Sequence, residues 1–232
     1  MQGRRLAQGS EVKITRSSSI YVALRGEILD GSLRPGARLN VRDLGQRFET
    51  GLSPVREALN RLSMEGLADH TDNRGFVVPP VSVPQLQDLT QARCWMNELG
   101  LRRSIELGDA AWEEQALVAY HRLSRTPRTP ADGSPGLVPA WNLAHKAFHQ
   151  ALVSASGSNW LIETCSQLFD AAERYRNLAR LAGASRSDPR DEHREILTAT
   201  LDRDAPAATA LLSEHFRRTA ELVQTVVGDE QT

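Results

Sequence analysis

Residues 41–78 decide the fold of this 232-residue chain, and they read VRDLGQRFETGLSPVREALNRLSMEGLADHTDNRGFVV. Two runs of apolar residues recur in this stretch at helical spacing, namely Val41, Leu44 and Phe48, then Val55, Leu59 and Leu62. Gly51 lies between the runs and is expected to end the first helix, since glycine commonly follows the last helical residue. The pattern predicts two helices joined by a tight turn, a helix-turn-helix.

The second of these helices has its own start signals and a polar outer surface. The Ser53 hydroxyl is expected to cap the helix, and Pro54 fits its first position, where no amide hydrogen is needed. In a helix-turn-helix the polar face of the second helix enters the major groove of DNA. The side chains predicted to contact DNA from this helix are those of Ser53, Arg56, Asn60 and Arg61. The alternative is that the arginines only solvate a helix face.

The residues after Gly66 predict a β-hairpin. Two short apolar segments flank the turn-forming run from residue 70 to residue 75, and such a run between apolar segments favours a hairpin. The predicted tip is formed by Asn73, Arg74 and Gly75. A cationic tip beside a recognition helix suits the minor groove or the phosphate backbone, so we expect a winged helix-turn-helix.

This block resembles the winged helix of the GntR family of bacterial regulators. The hallmark segment of that family, Pro-Val-Arg-Glu-Ala-Leu, stands complete at residues 54–59. The resemblance implies that Arg42 and Arg56 contact DNA, whereas a third arginine of the family is replaced here by Leu52. It further implies a transcription regulator, expected to be a repressor, that binds a palindromic double-stranded DNA operator as a homodimer.

Composition and charge agree with two domains, because 40% hydrophobic and 25% charged residues are ordinary for globular proteins. Residues 1–80 carry 12 basic and 9 acidic side chains, a net charge of +3, and the rest of the chain carries −4. The basic part is therefore the part predicted to bind DNA. No apolar run reaches the ~20 residues that span a bilayer, so we expect a cytoplasmic protein without a membrane partner.

Three prolines between Val78 and Pro84 predict an extended linker. We therefore expect a winged helix-turn-helix domain over 1–80 and an all-α bundle over 81–228, so that the fold class is mainly α. Helical periodicity in the second part predicts six helices, at 84–107, 110–125, 137–155, 159–181, 189–202 and 206–227. The two cysteines, Cys94 and Cys165, lie among apolar residues and are expected to be buried thiols.

Apolar residues on the predicted helices are assigned mostly to the core. The four tryptophans are scattered over the second part, so packing is favoured over base stacking for Trp95, Trp112, Trp141 and Trp160. Part of the helix over 84–107 is expected to form a dimer face instead.

Four histidines of the second part point to a metal centre. His145 and His149 are four residues apart and so leave the same face of one helix. His193 and His215 each lie 11 residues from Asp204, and they meet if the two helices fold back at that point. Imidazoles suit a divalent ion such as Zn²⁺ or Ni²⁺. The alternative is that these histidines only fill space or form hydrogen bonds.

Residues 84–227 resemble the FCD ligand-sensing domain, whose usual ligands are an Asp-x-x-x-His pair and single histidines on the last two helices. His145 stands at the aspartate position, and this change favours zinc or nickel over manganese. The resemblance implies an octahedral ion with positions left for water or a small carboxylate effector. It also implies that Arg93 and Asn97 belong to the effector pocket.

Arg174 is a second candidate for holding the effector, because the planar fork of arginine grips carboxylates with two hydrogen bonds. For Arg93 and Arg174 the alternative is an exposed salt bridge. Two other functions stay open, a metal-dependent enzyme on the helical part or an effector-free protein with a structural zinc. An enzyme would need an acid or base near the metal, yet Glu192 and Glu214 are expected to point off the ligand face.

Overall fold

The computed structural model of the chain describes residues 15–71, 75–131, 138–182 and 190–229. Its elements in chain order are α1 (Arg16–Asp30), β1 (Arg38–Leu39), α2 (Val41–Arg47), α3 (Leu52–Met64), β2 (Asp69–Thr71), β3 (Gly75–Val77), α4 (Val83–Leu107), α5 (Ala110–Arg125), α6 (Pro139–Val153), α7 (Asn159–Leu181), α8 (Arg190–Leu201) and α9 (Ala205–Asp229). The mainly α fold class is confirmed. None of the described helices combines the length and apolarity needed to cross a bilayer.

The amino-terminal elements form the expected winged helix with two additions. The wing pairs β2 and β3 antiparallel, with His70 opposite Phe76, and the short β1 pairs with the other edge of β3. Helix α1 was not anticipated, and it buries Ile20, Leu24 and Ile28 in the core of this region. Of the predicted tip, Gly75 opens β3 with a φ of 72°, whereas Asn73 and Arg74 lie outside the described residues.

Two predicted helix ends in this region are wrong. Helix α2 already ends at Arg47, and the chain turns at Glu49, whose φ of 48° is left-handed. Gly51 is the N-cap of α3, which makes no side-chain cap hydrogen bond, so Ser53 lies inside the first turn and does not cap the helix. Pro54 is tolerated there because first-turn amides have no carbonyl partner within the helix.

Six helices follow in the described part of the chain, and their ends lie within two residues of the predicted positions. Helices α4, α5 and α7 begin at the side-chain caps of Ser82, Asp109 and Ser158. Between the helices lies an apolar core that includes Leu101, Phe148, Leu152, Ile196, Leu212 and Phe216. Cys94 and Cys165 are buried free thiols, as predicted.

The prediction that all four tryptophans pack in the core is wrong for two of them. Trp112 and Trp141 are buried, but Trp95 is 62% exposed and Trp160 is 83% exposed. Helices α4 and α7 each bury another side in the bundle, where Cys94 and Cys165 lie. The exposed indoles therefore stand on the outer surface of two helices that pack against each other.

The winged helix contacts the helical bundle mainly through α1 and α7. The side-chain amide of Asn177 donates to the carbonyl of Leu29 at 2.6 Å, and Arg25 forms an ion pair with Asp170. At the end of α1, Gly31 has a φ of 86°, and a Cβ there would lie 2.7 Å from the Leu181 side chain. Glycine adopts a positive φ without strain and has no Cβ to collide with Leu181, so α1 and α7 can approach closely at this point.

Candidate DNA-binding surface and metal centre

The outer face of α3 presents the side chains expected at DNA. Ser53, Arg56 and Asn60 are exposed, while Val55, Ala58, Leu59 and Leu62 anchor the other face of the helix in the core. Arg42 is exposed on the first turn of α2, where the Asn40 side chain caps the helix. Arg42 also lines a hollow together with Arg16 and Leu52, beside the start of α3. The hollow places Arg42 at the end of α3 that carries Ser53 and Arg56.

Arg61 is not part of this exposed group. Its guanidinium lies 3.9 Å from the ring centroid of Tyr21 and donates to the Ser18 hydroxyl at 3.4 Å, so α1 occupies it. The sequence prediction placed Arg61 on the DNA face because it did not include α1. Arg16 was missed for the same reason, and its guanidinium donates to the carbonyl of Glu49 in the turn between α2 and α3 at 2.9 Å.

The structure brings the four predicted histidines together in the bundle. His145 and His149 extend from α6, His193 from α8 and His215 from α9, and all four are buried. One ring nitrogen of each lies within 4.8 Å of the others, and the Nε2 atoms of His145 and His149 are 3.0 Å apart. The turn around Asp204 folds α9 back on α8, so that the His193 and His215 rings lie 4.6 Å apart, centroid to centroid.

Burial favours the neutral form of two of these imidazoles, those of His145 and His149. Desolvation lowers the pKa of His145 and His149 well below the usual value, and the neighbouring histidines lower it further. A neutral imidazole offers the lone pair that a metal ion requires. The Nδ1 atoms of both rings are buried without a hydrogen bond, so hydrogen bonding alone does not account for the cluster. The donor set therefore fits a borderline divalent metal ion.

Glu192 does not point off the ligand face, contrary to the expectation. Its carboxylate accepts a hydrogen bond from Nδ1 of His215 at 2.8 Å, because α8 and α9 pack side by side. A carboxylate at Nδ1 fixes the ring and leaves Nε2 for a metal, as in many metal sites. Glu214 does point away, and it accepts a hydrogen bond from Arg218 at 2.8 Å.

A cavity opens beside His145 and His215. The residues that line it are Arg128, Trp141, His145, Arg176, Ala179, Arg180, His215, Thr219, Leu222 and Val223. The Trp141 ring stacks on His145 with centroids 4.5 Å apart. Arg176 and Arg180 share the buried Glu173, and although burial raises the pKa of that carboxyl, the two guanidiniums hold it below its ordinary value.

The structure separates the three residues predicted to hold an effector. Arg93 is only 4% exposed, lies 4.0 Å above the Phe216 ring and leaves its Nε without a hydrogen-bond partner. Desolvation, and next the like charge of Arg176, lower the pKa of Arg93 to about 9. Asn97 is also buried, but its amide donates to the carbonyl of Arg93 on the same helix at 2.9 Å.

The third of these residues, Arg174, lies elsewhere. Its guanidinium donates to the carbonyl of Pro79 in the linker, so the structure does not bring it to the histidines. Arg176, two residues further along α7 than Arg174, lines the cavity instead. Residues two apart on a helix point about 200° apart, so only one of them faces a given site. The spacing of Phe169, Glu173, Arg176 and Arg180 on one face of α7 was the available signal.

Sequence comparisons agree with both parts of the structure. The family described as "Bacterial regulatory proteins, gntR family" matches residues 16–78, and the family described as "FCD domain" matches residues 88–218. The chain is 35% identical to the HTH-type transcriptional regulator BphR of Paraburkholderia xenovorans, with 94% of this chain and 91% of that protein covered. It is 31% identical to the HTH-type transcriptional repressor GlaR of Escherichia coli, with 88% and 94% covered.

Solved structures show the same fold. A GntR regulator from Rhodococcus sp. RHA1 matches with a TM-score of 0.71 at 23% identity, over 90% of this chain and 97% of that one. McbR of Escherichia coli matches with a TM-score of 0.72 at 19% identity, over 91% and 98%. The gntR family and the two curated relatives are described as regulators of transcription, not as enzymes.

Proposed function

Because the chain belongs to the GntR family of bacterial regulatory proteins and carries an FCD domain, we propose that this transcription regulator is a repressor controlled by a small carboxylate at a metal ion. Residues 1–80 bind a palindromic operator and residues 81–228 hold the metal and the effector. The observation that carries this proposal is the buried cluster of four histidines beside a cavity lined by arginines. The 31% identity to a repressor favours repression over activation.

Operator recognition rests on the outer face of α3. Arg56 and Asn60 present the groups that form paired hydrogen bonds with guanine and adenine in the major groove, and both are exposed. Arg42 supplies a further contact beside the start of α3, and Ser53 is suited to a phosphate. Of the predicted wing contacts, Gly75 is exposed, and Asn73 and Arg74 remain part of the proposal.

The metal is a divalent ion held by His145, His149, His193 and His215. The Nε2 atoms of His145 and His149 lie 3.0 Å apart, close enough for both to bind one ion. Four imidazoles favour zinc, with nickel as the alternative. An octahedral ion would leave two positions for an effector.

The effector pocket is the cavity beside His145 and His215. Arg176 supports the proposal that an acid binds there, because it lines the cavity and is close enough to His145 to act on its charge. Arg93 is a buried guanidinium whose Nε has no hydrogen-bond partner among the described residues, and it adds positive charge near His149. Asn97 supports Arg93 through the carbonyl of that residue.

Helix α7 connects this pocket with the DNA-binding region. Asp170 accepts hydrogen bonds from Lys146 at 2.6 and 2.8 Å, and Lys146 directly follows the ligand His145. The same carboxylate pairs with Arg25 of α1, whose Nε donates to Glu65 at the end of α3 at 3.0 Å. A shift of α6 or α7 on effector binding would therefore change the contact that positions α3.

The experiment begins with operators selected from random DNA by the purified full-length chain. Gel-shift titrations then compare metal-stripped protein, zinc-loaded protein and zinc-loaded protein with a panel of small carboxylates. We expect zinc-loaded protein to bind a palindrome and at least one carboxylate to weaken binding. Operator binding that no carboxylate changes would instead indicate an effector-free regulator with a structural metal. Failure to select any palindrome would contradict the proposed operator.

A further inference from the structure

One apolar side chain stands on the outer face of α3 among the polar side chains assigned to the operator. Leu52 is the first residue of α3, and it is 43% exposed. Leu52, Arg56 and Asn60 follow one another at intervals of four residues, and all three are exposed. Residues four apart on a helix lie one above the other on the same face. The three side chains therefore form one stripe along α3, with the leucine at its amino-terminal end.

Helix α2 supports Leu52 from one side. A Cβ at the buried Gly45 of α2 would lie 3.4 Å from Cδ2 of Leu52, so the leucine lies against the backbone of α2 at this point. Leu52 also lines the hollow beside the start of α3, together with Arg16 and Arg42. A side chain that packs on one side and is open on the other has a defined position, as recognition of a base requires.

The charged residues around Leu52 suit the phosphates that border a groove of DNA. Arg16, Arg42 and one acid, Glu49, line the hollow and are exposed, so its lining carries a net charge of +1. Arg16 donates to the backbone carbonyl of Glu49 at 2.9 Å, which holds the guanidinium beside the turn before α3. Phosphate contacts position a protein on DNA, and the amino-terminal residues of a recognition helix then contact base edges. Leu52 is the first of those residues.

A leucine side chain suits one particular group of the major groove. It has no hydrogen-bond donor or acceptor, so it cannot pair with a phosphate or with the polar edge of a base. The 5-methyl group of thymine is the apolar group that base pairs present in this groove. Cytosine presents an amino group instead, and an amino group covered by leucine would lose its hydrogen bond to water without gaining another. Leucine at this position therefore favours thymine over cytosine.

We propose that Leu52 recognises a thymine of the operator through its 5-methyl group, close to the base that Arg56 binds. This inference deepens the proposed function and rests on it. One helical turn of about 5.4 Å separates Leu52 from Arg56, and successive base pairs are about 3.4 Å apart. The thymine is thus one or two base pairs from the base bound by Arg56. Leu52 is a specificity-determining residue, whereas Arg16 and Arg42 contribute affinity at the phosphates.

Replacement of single thymines in the selected operator tests this assignment. Gel-shift titrations with the full-length protein compare the operator with versions in which one thymine is replaced by deoxyuridine, which lacks only the 5-methyl group. We expect one such position in each half-site to weaken binding about fourfold, the contribution of burying one methyl-sized group. Wild-type binding that no replacement weakens would overturn the inference, and so would selected operators without an invariant thymine in the half-site.

A variant of the leucine separates its contact from other apolar contacts. In Leu52→Ala the deoxyuridine replacement that weakens wild-type binding should have no effect, because the methyl group has lost its partner. Met64→Ala removes an exposed apolar side chain at the other end of α3 and is the matched control, which should keep the fourfold effect. An undiminished effect of deoxyuridine in Leu52→Ala would contradict the assignment.

A second variant decides if Leu52→Ala does not bind the operator at all. Leu52→Asn places a polar side chain of similar length at the same position, so operators selected by this variant should carry a base other than thymine there. Retention of the same thymine would overturn the inference.

The outcomes also separate this inference from the proposed function. If the protein selects a palindrome but no thymine methyl group contributes to binding, the proposed operator stands and the role of Leu52 fails. If no palindrome is selected, both fail.

Discussion

At the scale of single residues, the proposed metal site depends on one carboxylate that is not itself a ligand. Glu192 orients the His215 ring through Nδ1, whereas Glu214, the residue next to His215, binds Arg218 at the surface. We expect Glu192→Gln to lower zinc affinity by about 10–100-fold, the usual effect of losing such a partner. Competition with a zinc chelator measures it, and Glu214→Gln is the matched control. Equal effects of both variants would refute a specific role for Glu192.

Removal of one histidine tests the cluster as a ligand set. Under metal-replete conditions the purified protein should carry about one equivalent of metal per chain, and His149→Ala should release it, because a site that loses a ligand loses geometry and charge stabilisation. Elemental analysis decides this prediction. His121→Ala removes an exposed histidine of α5 and should leave the metal content unchanged. A metal-free wild type, or undiminished metal in His149→Ala, would reduce the cluster to packing.

The DNA-binding face is tested by its exposed arginines. Arg56→Ala should weaken specific operator binding by about 1–3 kcal/mol, since a paired base contact has that magnitude, and Arg42→Ala should weaken it as well. Gel-shift titration on the selected operator measures both. Arg103→Ala, which removes a partly exposed cation of α4 paired with Glu106, should have no effect. Unchanged affinity of both test variants would mean that the recognition surface lies elsewhere.

Sequence reasoning identified the residues whose position depends on local spacing. Two histidines four apart must share a helix face, and Arg56 lies within a motif that fixes its helix. It failed where a side chain is held by an element far along the chain. Arg61 is held by Tyr21 across 40 positions, and Arg174 is held by the linker carbonyl of Pro79. No local pattern contains those contacts.

At the scale of elements, periodicity sufficed for the bundle because each of its helices has a broad apolar side and a clear start or stop. Helix α1 was missed because its start is a run of serines and its buried residues form a narrow stripe at Ile20, Leu24 and Ile28. The predicted end of α2 and start of α3 were also misplaced, because Glu49, and not a glycine, adopts the left-handed conformation in the turn between them. Asparagine and glycine are the usual occupants of that conformation, so the sequence carried no signal there.

Helix α7 is the element through which the effector is proposed to act on DNA binding. Asp170→Asn weakens the ion pairs with Lys146 and Arg25 while leaving the cavity lining intact. We expect its effector affinity to stay near that of the wild type and the effector-induced change in operator affinity to fall, because coupling requires a contact that differs between the two states. Titrations with operator DNA, in the presence and absence of effector, measure the ratio of the two operator affinities. Glu163→Gln, an exposed acid on the same helix, is the control, and a full response in Asp170→Asn would exclude this route.

At the scale of the whole molecule, the exposed apolar surface of α4 and α7 suggests how two chains associate. Trp95 and Leu99 are one turn apart on α4 and at least half exposed, and Trp160 stands on the neighbouring helix. Large exposed side chains on adjacent helices indicate a protein interface. The palindromic operator proposed above would require two winged helices in a fixed relation, and we expect a second copy of the chain to supply the other one.

We therefore predict a homodimer formed by the helical bundle, so that residues 84–232 alone still dimerise. Trp95→Glu should yield monomers, because a charge buried at the centre of an interface without a partner is strongly unfavourable. Leu117→Glu, at an exposed apolar site on α5, is the matched control and should remain dimeric. Light scattering measures the mass of each form. The monomeric variant should also bind the palindrome far more weakly than the dimeric wild type. A monomeric fragment from a dimeric full-length chain would place the interface in the amino-terminal region, whereas a dimeric Trp95→Glu variant would exclude this face of α4.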